Sequence, residues 1–184
     1  MPLNVSFQLS DDDLAYFRER MHEAQEAFEE RNASEVAQAA AKMIAEMRQR
    51  ELPDFVNARM EKLELLARMV EDSEWRLDEE DRNRVLRSLA YLLNPHDDIP
   101  DRIPGVGFLD DAIMAELVCQ DLRHEIEAYA DFCRYRADEE KRRGTGHDAA
   151  TREEWLSARR IQLHERMKRR RASIWRARLG RDLW

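Results

Sequence analysis

Residues 10–31 read SDDDLAYFRERMHEAQEAFEER, and Leu14, Phe17, Met21, Ala24 and Phe28 recur at alternating steps of three and four. That spacing gathers all five on one stripe of an α-helix and on no single face of a strand. Ser10 stands ahead of the stripe with Asp13 three residues on, a capping box with Asp in place of the usual Glu. The helix is expected to start there and to run to about Arg31, with Asn32 to Ser34 as the break. A second helix, to about Arg50, carries Val36, Ala40, Met43 and Met47, and Pro53 ends it by removing an amide donor.

The pattern continues outward. A third helix over 54–72 carries Phe55, Met60, Leu63, Leu66 and Val70. A fourth begins near Asp78, with Asp81 in its first turn, and carries Val85, Leu86, Leu89, Ala90 and Leu93. A fifth is expected from Leu109 to Arg136 or beyond. The last opens at Thr151 and Glu154, a second capping box, and stops near Gly180. The fold class is all-α: about five helices in a domain over 1–143, a linker over 144–150, and a basic amphipathic helix over 151–184.

Composition agrees. The 184 residues include only 5 Gly and 5 Pro, and no Gly precedes Gly105. A sandwich or barrel needs a turn every ~8–12 residues, and a Rossmann fingerprint or P-loop needs glycines. All are excluded from the first hundred residues. No apolar run approaches the ~18 residues of a membrane span, and the amino terminus shows no basic-then-apolar signal pattern. Cys119 and Cys133 fall on one expected helix, about 21 Å apart by helical rise and far beyond the ~7 Å a disulfide allows. Reduced thiols imply a cytoplasmic protein.

Charge is uneven. Residues 1–133 carry a net −16 and residues 134–184 a net +8, within a total of −8. Residues 159–184 hold the dense run Arg166, Lys168, Arg169, Arg170 and Arg171, interleaved with Leu163, Met167, Ile174 and Trp175. Three readings of this basic helix stand together: packing on the acidic body or a sister chain, phosphates of a nucleic acid, and an anionic membrane surface. For the two anionic partners, the binding set is those five cations with Trp175.

One stretch departs from helical pattern. Residues 94–108 hold three of the five prolines and two of the five glycines. Each proline pushes the residue before it out of the α region, so Ile99 and Ile103 are expected to be extended and able to tuck under the loop. The string Pro95, Asp97, Ile99, Pro100, Asp101, Ile103, Pro104, Gly107, Asp110 and Asp111 fits P-x-D-x-I-P-D-x-I-P-x-x-G-x-x-D-D at ten fixed positions. This motif resembles that of the YkvA-like family, uncharacterised helical proteins of bacteria. With its flanking helices the resemblance covers a motif region of about 54–136. It implies an all-helical fold and brings no established activity. His96, Asp98 and Arg102 stand where family members often carry apolar residues, which argues against membrane insertion here.

Several constellations carry chemistry. Asp97-Asp98-Ile99-Pro100-Asp101 spells the DDxxD of isoprenoid synthases, but Pro100 prevents the helix that motif needs. Asp97, Asp101, Asp110 and Asp111 are the metal candidates, since converging carboxylates suit magnesium or calcium. The plainer reading is that they cap helix ends and fix the turn. Glu19 and His22 share Glu-x-x-His spacing but face away from the apolar stripe. Asp121 and Glu125 fall on the apolar fifth helix, where buried carboxylates must be neutralised, protonated or liganded. If helices four and five form an antiparallel hairpin, Arg82 lies opposite Asp121, and an Arg82 pair with Asp121 or Glu125 is expected. No nucleophile motif and no CxxC occurs. The leading expectation is a non-enzymatic helical interaction or scaffold protein without a cofactor. A divalent-metal-dependent enzyme, such as a hydrolase built on the loop aspartates, is the alternative.

Overall fold

In the computed structural model, residues 8–28, 33–49, 54–91, 93, 109–144 and 149–179 are described. Among them are seven α-helices and no strand: α1 (Asp11–Phe28), α2 (Ala33–Met47), α3 (Asp54–Glu71), α4 (Glu79–Tyr91), α5 (Leu109–Asp121), α6 (Arg123–Arg143) and α7 (Ala149–Leu179). Helix α1 opens as its sequence predicts. The Ser10 amide donates to Asp13 Oδ2 at 2.8 Å, and the Asp13 amide donates to Ser10 Oγ at 3.2 Å. Asp therefore completes the reciprocal cap that Glu usually makes.

Helix α3 is the centre. Val56, Met60, Leu63, Leu66, Ala67, Met69 and Val70 are all buried, a spread too wide for one stripe. A helix apolar over most of its circumference must be surrounded, and α3 packs against α2, α4, α5 and α6. Helix α2 approaches it through Val36, Ala37, Ala40 and Ile44, whose small members let the axes come close. Helix α5 is nearly as apolar, with Ala112, Met114, Ala115, Leu117, Val118 and Cys119 buried between α1 and α3.

Three expectations are corrected. The helix read as continuous from Leu109 is two helices, broken at Leu122, whose φ of −102° and ψ of 18° leave helical geometry. Leu122 is fully buried, so core packing at this residue accompanies the bend without any Gly or Pro. Thr151 does not cap the last helix, because α7 begins two residues earlier at Ala149 and enters the expected linker. Helices α4 and α5 are not the packed hairpin that the Arg82 register assumed: α4 lies on α1, α2 and α3, while α5 lies on α1, α3 and α6.

Helices α6 and α7 do form an antiparallel pair. Glu127 meets Arg170 at 2.8 Å and Asp131 meets Arg166 at 2.5 Å, so positions fall along α6 as they rise along α7. Leu156, Leu163 and Met167 supply the apolar seam, each about 1% exposed.

Candidate functional site

The turn between α3 and α4 is where four helices meet. Asp72 reverses the chain: its Oδ1 accepts from the amides of Glu74 (2.9 Å) and Trp75 (3.1 Å). A short carboxylate suits such a turn because it can accept from its own backbone two residues on. The other oxygen, Oδ2, accepts from the Tyr129 hydroxyl and from Arg136 Nη1 of α6, both at 2.8 Å. Trp75 is fully buried, its ring 5.0 Å from that of Phe132 and 4.2 Å from that of His164 on α7. Arg76 takes a left-handed φ of 53° and pairs with Glu153 at 3.0 Å. Asp78 then caps α4, accepting from the Asp81 amide at 2.8 Å.

Helix α7 lays a stripe of four polar side chains along this turn. Arg160, His164, Lys168 and Arg171 are spaced four, four and three residues apart, hence on one face. Their partners follow the chain in the same order. Arg160 Nη1 donates to the Glu74 carbonyl at 2.9 Å, and His164 stacks its ring edge-to-face with Trp75. Lys168 Nζ donates to the Asp78 carboxylate. Arg171 Nη1 donates to Asp81 Oδ1 and, at 3.2 Å, to Glu125 Oε1. Arg152, one turn into α7, binds Glu74 and Glu140, each at 2.7 Å. Its hydrogen bond holds the Glu74 carboxyl below the usual range, and that of Lys168 does the same for Asp78.

The cations expected to serve an anionic partner are thus largely engaged within the chain. Arg166, Lys168, Arg170 and Arg171 each pair with an acid of the body. Arg169 is exposed, and the Trp175 side chain lies outside the described residues. The cation run 166–171 and the apolar residues Leu163, Met167 and Ile174 mark an amphipathic basic helix but do not by themselves single out the four-residue stripe. The spacing of 160, 164, 168 and 171 was the available signal.

Asp81 and Glu125 are each 1% exposed, and Arg171 bridges them. Two acids at this depth require neutralisation. Glu125 has it from Arg171 and from Arg84 Nε at 3.3 Å, and Asp81 has Lys168 at 3.6 Å besides Arg171. The arginine expected at Glu125 was Arg82. That residue instead aims its Nε at the Val70 carbonyl, 3.5 Å away. Arg84 supplies the contact, and its Nη2 also donates to the Asp121 carbonyl at 3.2 Å. The register is off by two residues because it was extrapolated from a hairpin that does not form. The Asp121 side chain is exposed, as are Glu19 and His22.

Of the proline-loop motif, Pro95, Asp97, Ile99, Pro100, Asp101, Ile103, Pro104 and Gly107 lie outside the described residues. Asp110 is buried in the first turn of α5, where a carboxylate complements the helix N-terminus. Asp111 follows it in the helix, its side chain outside the described set. Among the described residues, no group of three or more His, Cys, Asp or Glu could hold a metal ion. Nor is any helix among them long and apolar enough to cross a membrane. Where α5 begins, an apolar groove of about 300 Å³ runs past Leu14, Leu109, Ile113 and Leu117, and the Arg59–Glu116 pair closes its rim at 3.2 Å.

Residues 85–117 match a family described as Protein of unknown function (DUF1232). The matched span reaches from the buried face of α4 through the loop into α5. No curated protein and no solved structure matches the chain.

Proposed function

We propose that this chain is a non-enzymatic, cytoplasmic interaction protein of the YkvA-like type that presents the proline loop, residues 94–108, to a protein partner. The observation that carries this reading is the seating of the two helices that flank the loop. Val85, Leu86, Leu89 and Ala90 of α4 are buried, as are Ala112, Ala115 and Val118 of α5. The two helices that border residues 94–108 are thus fixed in the core, and anchors that are already ordered lower the cost of docking a partner between them. With Ile99 and Ile103 expected to tuck under the loop, the carboxylates of Asp97, Asp98 and Asp101 are its candidate contacts and suit a partner with basic groups. The span similar to the uncharacterised family covers this loop and reaches into both flanking helices. Two unbridged thiols, Cys119 and Cys133, suit a reducing compartment.

The test is thermal unfolding of chelator-stripped protein, alone and titrated with magnesium, calcium, manganese and zinc, on the natural chain and on Asp101→Asn and Asp110→Asn. Acids that fix a docking loop should lower the midpoint when neutralised, with no response to any cation. A saturable rise with one cation, removed by both substitutions, would replace this reading with the metal-dependent hydrolase.

A further inference from the structure

The stripe that α7 lays on the 72–81 turn contains three residues with a fixed charge and one without. Arg160, Lys168 and Arg171 stay cationic throughout the physiological range, whereas imidazole changes charge there. We propose that His164 is a proton sensor for the docking of α7, and that its protonation loosens the helix from the body and uncovers the acidic turn at Asp78 and Asp81.

The geometry favours the neutral ring. Its centroid lies 4.2 Å from that of the fully buried Trp75, at 83° between planes. Tyr129 and Phe132 of α6 back the same indole, so the imidazole sits at the edge of an aromatic cluster. His164 Nε2 is sealed from solvent and has no hydrogen-bond partner among the described residues. A proton added there would have neither water nor an acceptor to receive its hydrogen bond.

The charged neighbours are Asp78 and Asp81 from the start of α4, and Arg160 and Lys168 from α7 itself. The acids of α6 in this interface are held by other cations: Asp131 by Arg166, Glu127 by Arg170, and Glu125 by Arg84 and Arg171. The two acids of α4 favour a charged ring: Lys168 takes Asp78 Oδ2 and Arg171 takes Asp81 Oδ1, while Asp81 Oδ2 makes no hydrogen bond among the described residues and stands 3.6 Å from Lys168 Nζ. The two cations oppose it. Burial outweighs the acids and sets the ring below its usual 6.5. The sign follows: a group whose pKa is depressed on docking contributes stability that is complete above 6.5 and is lost as the pH falls through the docked value. Each unit of depression corresponds to a factor of about ten in the docking equilibrium. Asp78 is held below the usual carboxylate range and Glu74 likewise, so both keep their charge in this window.

The experiment is hydrogen exchange of the full chain, read by mass spectrometry at about pH 7.5 and about pH 5.5 and corrected for intrinsic exchange, where imidazole titrates. Amides of α7 should lose protection several-fold at the lower pH, while those of α3 hold theirs. His164→Gln and His164→Phe should abolish the difference, the first preserving polarity and the second filling the aromatic site. Equal or greater α7 protection in acid, as a cation–π contact of protonated His164 with Trp75 would give, overturns the proposal. So does retention of the full pH difference in either folded variant.

Discussion

Arg171→Met removes the guanidinium that bridges Asp81 and Glu125 and keeps most of the stem that packs beside them. Each acid loses one hydrogen bond from a charged donor, a contact that contributes ~1.5–3 kcal/mol net. Neither acid is left alone. Lys168 stays 3.6 Å from Asp81, and Arg84 Nε stays 3.3 Å from Glu125. The arginine side chain is itself 24% exposed, so part of its charge is already solvated. The cost should therefore fall at or below that of breaking an isolated buried pair, about 3–5 kcal/mol, and about 2–4 kcal/mol is expected. Urea unfolding followed by circular dichroism reads it as a lower midpoint at unchanged slope. Arg169→Met is the control, since Arg169 is exposed two residues away. Its cost should stay within ~0.5 kcal/mol. Equal costs for the two variants, or less than ~1 kcal/mol for Arg171→Met, would falsify the view that this arginine neutralises a buried acid pair.

Two further outcomes follow from the described geometry. Burial pushes the Cys119 thiol up to about 11, while Cys133 is only half-buried beside Arg136. A maleimide at neutral pH should therefore label Cys133 first and Cys119 only on unfolding, and equal labelling rates in the folded chain would contradict the packing of α5. Acid unfolding should show a second loss of stability below that of the imidazole. The Glu74 and Asp78 carboxyls are held below 4.5 and 3.8, so their contribution is complete above those values and vanishes as the pH falls through the folded ones. Glu74→Gln should flatten the acid limb of a urea-midpoint-against-pH curve.

The all-helical class was legible because helical periodicity and the scarcity of Gly and Pro agree, and the Ser10–Asp13 cap was legible because it is purely local. The bend at Leu122 was not. Nothing in Asp121-Leu122-Arg123 breaks a helical pattern, and an apolar residue at the bend extends the stripe on both sides. The missed partner of Glu125 follows from this. A straight fifth helix paired with the fourth points to Arg82, whereas a bent one lying on α3 brings Arg84 and, from 46 residues further on, Arg171. Long-range pairs of this kind depend on which helices are neighbours, and sequence spacing within one helix carries no record of that. The candidate site was half visible: the charge contrast between body and tail was plain, but the turn that joins them was read only as the start of a helix.

Every acid that α7 engages across the interface, from Glu74 through Asp78, Asp81 and Asp131 to Glu140, precedes its cations in the chain. During synthesis these carboxylates therefore emerge before their α7 cations, although Glu74, Glu125 and Asp131 already have Arg136, Arg84 and Arg134 of the body beside them. The docking of α7 is then a closing step that the earlier helices cannot begin, and whose rate, steered by opposite charges, falls as salt is added.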